Sequence, residues 1–254
     1  LWSVGGIVGG FGGGLCASLG VSLQQQGLLV GVVTLLVVLV FRSFLLPASD
    51  DIHEPEEAAE KTSRNPRIFY MLGAVGLCAA IIEGSAGDWG AVLITDDFGA
   101  TGLISSLPYI VFQTAMVIGR FSSDALTTRY GRSSILLGCG LLAAVGLSTG
   151  LVIGGQAAIV VAWFLIGAGA SVVIPMVFSL AGSIAKKSYA GVIAPSQAVA
   201  TVTGISYSAF LIGPPVIGMV ADIISLRWAM LIPAFLALGI VLGARIAAGA
   251  EASA

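Results

Sequence analysis

The chain has 254 residues and a formal net charge of −2, with 57% hydrophobic and only 9% charged residues. Soluble domains carry about 25% charge, so this composition, with a mean hydropathy of +1.03, excludes a water-facing surface over most of the molecule. The basic residues are dispersed among loops, which excludes a nucleic-acid patch and leaves the lipid bilayer as the expected surrounding.

The apolar runs predict an all-α polytopic membrane protein with eight spans, at 1–18, 27–46, 68–87, 103–122, 133–153, 157–182, 198–220 and 226–246. With their margins these runs reach the roughly 20 residues that a helix needs to cross a hydrocarbon core, and they are too long for barrel strands. The chain opens on Leu1-Trp2-Ser3, with neither Met nor a charged leader. No signal peptide is expected, and the apolar start suggests that an upstream portion is missing.

In the first span, Gly5, Gly9 and Gly13 form one row and Gly6, Gly10 and Gly14 a second. Glycines four apart let another helix approach closely, and both rows are expected to pack. Cys16, Cys78 and Cys139 fall inside apolar runs and read as packing residues, not disulfides or metal ligands. The hydrophilic stretch 48–67 carries six acids, three bases and the single histidine, His53. It is expected to be an exposed linker, with His53 a solvated loop residue.

The third span contains Glu83, about 22 Å along the helix from Ile68 and so expected toward the outer side. An ionised carboxylate at such depth costs about 3 kcal/mol unless it faces a wet cavity or takes up a proton. A role in proton coupling or solute binding, a structural hydrogen bond, and an interfacial position all fit it. On the fourth span Tyr109 and Gln113 are four apart and share a face, near Glu83's level and the midplane respectively. Trp163 on the sixth span enters at similar depth, where a site, a packing or a lipid-facing role is open, and Thr203, Ser206 and Tyr207 cluster on the seventh. These seven residues are the candidate solute and proton path. No Lys or Arg is expected deep in any span, so nothing obvious offers itself to an anionic solute. The second, fifth and eighth spans hold few polar groups and are expected to face lipid.

Between the fourth and fifth spans lies "GRFSSDALTTRYGR", Gly119 to Arg132. Arg120, Arg129 and Arg132 add to Arg42, Lys61, Arg64, Arg67, Lys186, Lys187 and Arg245 on one side of the membrane, against Arg227 alone on the other. This bias predicts that both termini and the 48–67 loop are cytoplasmic. Gly119 would admit a close neighbour, and Asp124 would cap a helix or pair with Arg120 or Arg129.

Gly119, Asp124, Arg129, Gly131 and Arg132 follow the order of a signature, Gly, then Asp, then Arg-x-Gly-Arg. In this the chain resembles the major facilitator superfamily, with four additional residues between the aspartate and the arginine. "YSAFLIGPPVIGMVAD" (Tyr207 to Asp222) resembles that family's eleventh helix, and "EGSAGDW" (Glu83 to Trp89) is compatible with uncharacterised or sugar-permease-like bacterial members. The resemblance implies an incomplete fold of helices five to twelve. Residues 1–46 would then be the last two helices of the N-terminal half, 47–67 the linker, and 68–254 the C-terminal half with a short cytoplasmic tail. It implies secondary transport of a small solute across the inner membrane by alternating access, with protons possible as coupling ion, and a monomer when full length. It also implies that Asp124 faces the start of the first span, near Trp2 and Ser3.

Sugar-like import and drug or metabolite efflux both remain open. A membrane-embedded enzyme would need a nucleophile with a base or a cluster of metal ligands, and one loop histidine supplies little. The phosphate-binding loop of an ATP-driven pump does not occur in the sequence. No cofactor, metal or nucleic acid is expected.

Overall fold

A computed structural model describes residues 2–44 and 67–252. The acidic stretch with His53, Lys61 and Arg64 lies outside the described residues. Helices α1 (Trp2–Ser18) and α2 (Leu23–Phe41) come first, and a short 3₁₀ turn at Arg42–Phe44 follows. After the undescribed stretch come α3 (Arg67–Asp88), α4 (Gly90–Asp96), α5 (Leu103–Tyr130) and α6 (Arg132–Ile153). The chain continues with α7 (Gln156–Ala170), α8 (Val173–Ser188), α9 (Pro195–Tyr207), α10 (Ala209–Ile224), α11 (Leu226–Ala229) and α12 (Leu231–Ala252). No strand occurs among the described residues.

Seven stretches among these are long and apolar enough to cross a membrane, with α7–α8, α9–α10 and α11–α12 each forming one broken span. The remaining expected span is α1, which has 17 described residues. Each break has a proline a few residues downstream: Pro175 after Ser171–Val172, Pro214 after Ser208, and Pro233 after Met230. Proline removes the N–H that would bond four residues back. Capping sets the start of α2, earlier than its apolar run suggests. Ser22 accepts from the Gln25 backbone N–H, and the Gln25 side chain accepts from the Ser22 N–H, a reciprocal box that begins the helix at Leu23.

The core lies among α3, α5, α6, α7, α8 and α12. Phe69, Leu72, Ile82, Phe112, Leu136, Leu147 and Trp163 are its largest fully enclosed side chains. Helix α6 lies between α12 and α7, while α3 sits against α9, α12 and α10. The fifth and eighth expected spans therefore pack on each other, and each keeps an aliphatic outer stripe such as Leu141 and Val145 or Phe235 and Leu242. Helix α2 buries no residue among the described ones.

Helix α1 runs antiparallel along α5. Side-chain oxygens or carbons of Ser106, Ile110 and Gln113 stand where a Cβ would be at Gly14, Gly10 and Gly6, at 2.6, 3.0 and 2.9 Å. Among the described residues only this glycine row packs. Gly5, Gly9 and Gly13 have no such atom within 4 Å, because one helix face meets one neighbour and the other row turns away from α5.

Candidate functional site

Three helices and a helix break meet at Arg120. Sequence hydropathy ends the fourth span near residue 122, yet α5 continues to Tyr130. The residues between Asp124 and Arg129 form a further helical turn, and the Thr127 and Thr128 hydroxyls bond back to the Ser123 and Asp124 carbonyls at 2.7 and 2.8 Å. Arg120 is consequently no loop residue. It lies about 15 Å inside the Gly131 end of its helix, with its guanidinium turned toward α1 and α3.

The Arg120 guanidinium donates through Nη1 to Ser3 Oγ at 2.8 Å on α1 and through Nε to the Ser171 carbonyl at 3.4 Å, between α7 and α8. Its Nη2 lies 3.8 Å from Glu83 Oε2 on α3. Glu83 also accepts from the Trp2 indole N–H at 3.2 Å. The carboxylate side chain is 10% exposed and the guanidinium 31%, so the pair is sheltered on Glu83's side and open on Arg120's. A buried carboxylate needs such partners, because its desolvation is costly. Ser3 is itself buried. The start of α1 is thus held to α3 and α5 by polar bonds, while its glycine row holds the remainder.

The other sequence candidates separate into groups. Tyr109 and Gln113 do share a face, and that face looks onto α1: both side chains stand 3.0 Å from the Cβ position of Gly6. Gln113 is fully buried there, and its Oε1 has no hydrogen-bond partner among the described residues. The Tyr109 ring also approaches Gly87, one turn beyond Glu83 on α3. Glu83, Tyr109 and Gln113 therefore border the α1–α3–α5 junction, at the depth where Arg120 reaches up. Trp163 is elsewhere. It is enclosed in the core, edge-on to Phe112 with ring centroids 6.2 Å apart, which is the packing role among those open to it.

Ser206 is equally enclosed. It donates to the Val202 carbonyl at 2.7 Å and reaches the Gly73 carbonyl at 3.5 Å, on the α3–α9 contact. Thr203 is half-buried. Tyr207 is 51% exposed, edge-on to Phe178 and tilted against Phe210, at centroid distances of 6.3 and 5.8 Å. Neither joins the Glu83 group; they mark a separate aromatic surface at the α9–α10 break.

The signature's second part lies at the end of α5. Gly131 alone separates α5 from α6, with φ 78° and ψ 153°, a conformation open in practice only to glycine. Arg129 lies over the neighbouring Tyr130 ring, 5.2 Å from its centroid. Asp124 and Arg132 line a cavity of about 130 Å³ with Ser123, Thr127, Val172, Pro175, Met176 and Ser179. Asp124 makes no ion pair among the described residues, which corrects its expected pairing with Arg120 or Arg129.

A family model described as the Major Facilitator Superfamily matches residues 1–194 and, in an overlapping match, 92–250. The chain belongs to the Major Facilitator Superfamily. Similar proteins include an uncharacterized MFS-type transporter of Yersinia pestis, 33% identical over 248 residues, covering 96% of this chain and 61% of that protein. An uncharacterized transporter, y4wD, of Sinorhizobium fredii is 30% identical over 229 residues, 89% of this chain and 58% of its own length. Membrane protein MosC of Rhizobium meliloti is 28% identical over 212 residues, 82% of this chain and 50% of its own length. The chain thus spans half to three-fifths of the curated relatives it matches. No solved structure matches it significantly.

As a superfamily member, the chain departs from one expectation about the signature. Arg120, not Asp124, meets the opening residues. The α1–α5 register sets Ser3 against Arg120, and Asp124 lies a turn (about 6 Å) beyond, past the first described residue of α1. What the sequence did not reveal is the inward turn of Arg120 and the role of the Ser171 carbonyl. The one available signal was Pro175, four residues after Ser171.

Proposed function

We propose that this multi-pass membrane protein supplies helices five to twelve of a secondary active transporter, which moves a small solute across the cytoplasmic membrane by alternating access. Residues 1–46 close the first half, 47–67 link the halves, and 68–254 form the second. Both termini and the Arg129–Arg132 turn face the cytoplasm in this reading, in keeping with the loop charge bias. Proton symport runs through Glu83. The solute is polar and neutral, such as a sugar, and it meets Tyr109 and Gln113 when α1 parts from α5.

The observation that carries this reading is a sheltered carboxylate within a membrane span, bonded to Trp2 of one helix and Arg120 of another. Intramembrane carboxylates mark ion and substrate pathways, and a proton added to Glu83 would weaken its hold on Arg120 and hence on α1. Full-length protein in liposomes, given an inward proton gradient, is expected to accumulate at least one solute from a panel of labelled hexoses. Glu83→Gln keeps an acceptor for Trp2 but cannot titrate, and it should abolish the gradient-driven part of the uptake. Persistent gradient-driven accumulation in that variant would refute the coupling role.

A further inference from the structure

The span from Gln156 to Ser188 breaks near its middle, and its two parts have different neighbours. Helix α7 packs on α5 and α6, whereas α8 packs on α9 and α3. Pro175 accounts for the break in backbone terms. It has no N–H, so the Ser171 carbonyl loses the donor that an uninterrupted helix would give it. The helical ladder resumes one residue later, with the Met176 N–H on the Val172 carbonyl at 3.1 Å.

A carbonyl left unpaired inside a membrane protein is costly. Here the missing donor is replaced from another helix, by Arg120 Nε at 3.4 Å. Gly119, the preceding residue, makes room: a Cβ there would collide with Ser171 Oγ. That hydroxyl is turned back to the Ala168 carbonyl at 2.7 Å. Just beyond the break, Asp124 and Thr127 of α5 diverge from Val172, Pro175 and Met176, leaving the cavity of about 130 Å³ between them.

We propose that Arg120 is a positioning residue that stands in for the N–H missing at Pro175, so that α5 fixes the break in the α7–α8 span. Arg120 also holds Ser3 and pairs with Glu83, so the same guanidinium ties the angle of α8 to the seating of α1. When it lets go, α8 pivots at Ser171–Val172, and the adjoining cavity provides room to move. Only the consequence for solute movement rests on the transport reading; the bond and its replacement do not.

The test is a suppressor experiment in the detergent-solubilised full-length protein, with Arg120→Gln, Pro175→Ala and the double variant. Pro175→Ala returns an N–H to the Ser171 carbonyl. Arg120→Gln is expected to lower the apparent Tm by on the order of 5 °C and to speed hydrogen exchange at residues 172–176. The double variant should lie above the sum of the two single shifts by at least half of that loss and slow the exchange again, the non-additivity of coupled groups. Glu83→Gln, which leaves the Arg120–Ser171 bond possible, should leave exchange at 172–176 within twofold of wild type. Strictly additive Tm losses, or equal acceleration in Glu83→Gln, would overturn the proposal. Should Arg120→Gln fail to fold, Arg120→Lys takes its place under the same criterion, and the solute-free readouts stay informative whatever becomes of the transport reading.

Discussion

Two glycines of α6 differ only in what faces them. A Cβ at Gly140 would lie 2.9 Å from the Ala237 carbonyl and 3.2 Å from the Val241 backbone N of α12, while at Gly138 nothing comes within 4 Å. Both positions are mid-helix, so replacing either by alanine brings the same gain in helix propensity, about 1 kcal/mol. At Gly140 the added carbon meets backbone, which cannot swing aside. Helix α12 must retreat by about 0.5 Å, and gaps of that size forfeit a quarter or more of each dispersion contact along the seam. Overpacking of this kind costs about 1–3 kcal/mol. Gly138→Ala should therefore be neutral or slightly stabilising, and Gly140→Ala should fall below it by about 1–3 kcal/mol, or roughly 2–10 °C in apparent Tm. Intrinsic tryptophan fluorescence during a thermal ramp in detergent reads both variants side by side. Equal shifts for the two would refute the close α6–α12 seam, and with it the placement of the core.

Ser225 adopts φ 86° and ψ 153°, a conformation whose strain costs a non-glycine residue about 1–3 kcal/mol, so Ser225→Gly should raise the apparent Tm in the same assay. Gly131→Ala should lower it for the reverse reason, through a strain of about 1–3 kcal/mol. Arg227 donates to the Leu151 and Val152 carbonyls at 2.8 and 3.2 Å; Arg227→Met leaves the last turn of α6 uncapped, which should cost about 1–2 kcal/mol and speed hydrogen exchange at residues 150–154.

The number and order of the spans were legible because lipid imposes one simple demand, a long apolar run whose backbone bonds to itself. Their ends were less so. The start of α2 is set by the Ser22–Gln25 box and not by its apolar run, and the helical turn at Ala125–Thr128 is polar enough to resemble a loop. The two glycine rows of α1 are equivalent in sequence, and only the neighbour decides which one packs. Trp163 and Ser206 looked like site residues because they are polar groups in apolar helices. Their burial against Phe112 and the Gly73 carbonyl depends on helix rotation, which a periodicity cannot fix. Glu83 and Gln113 were expected to turn inward, and both are buried. Arg120 was read as a cytoplasmic charge because an arginine at an apparent helix end usually extends into the aqueous layer, whereas here nearly three further turns of α5 carry the helix past it.

At the opposite end of the bundle, Arg227 also faces the Phe98 ring at 5.5 Å, and Gln156 donates to the Phe98 carbonyl at 2.9 Å. These bonds rivet the rims of α6, α7 and α11 to the segment after α4. Those segments form one plate at that end, and none can part from the others without giving up one of these contacts.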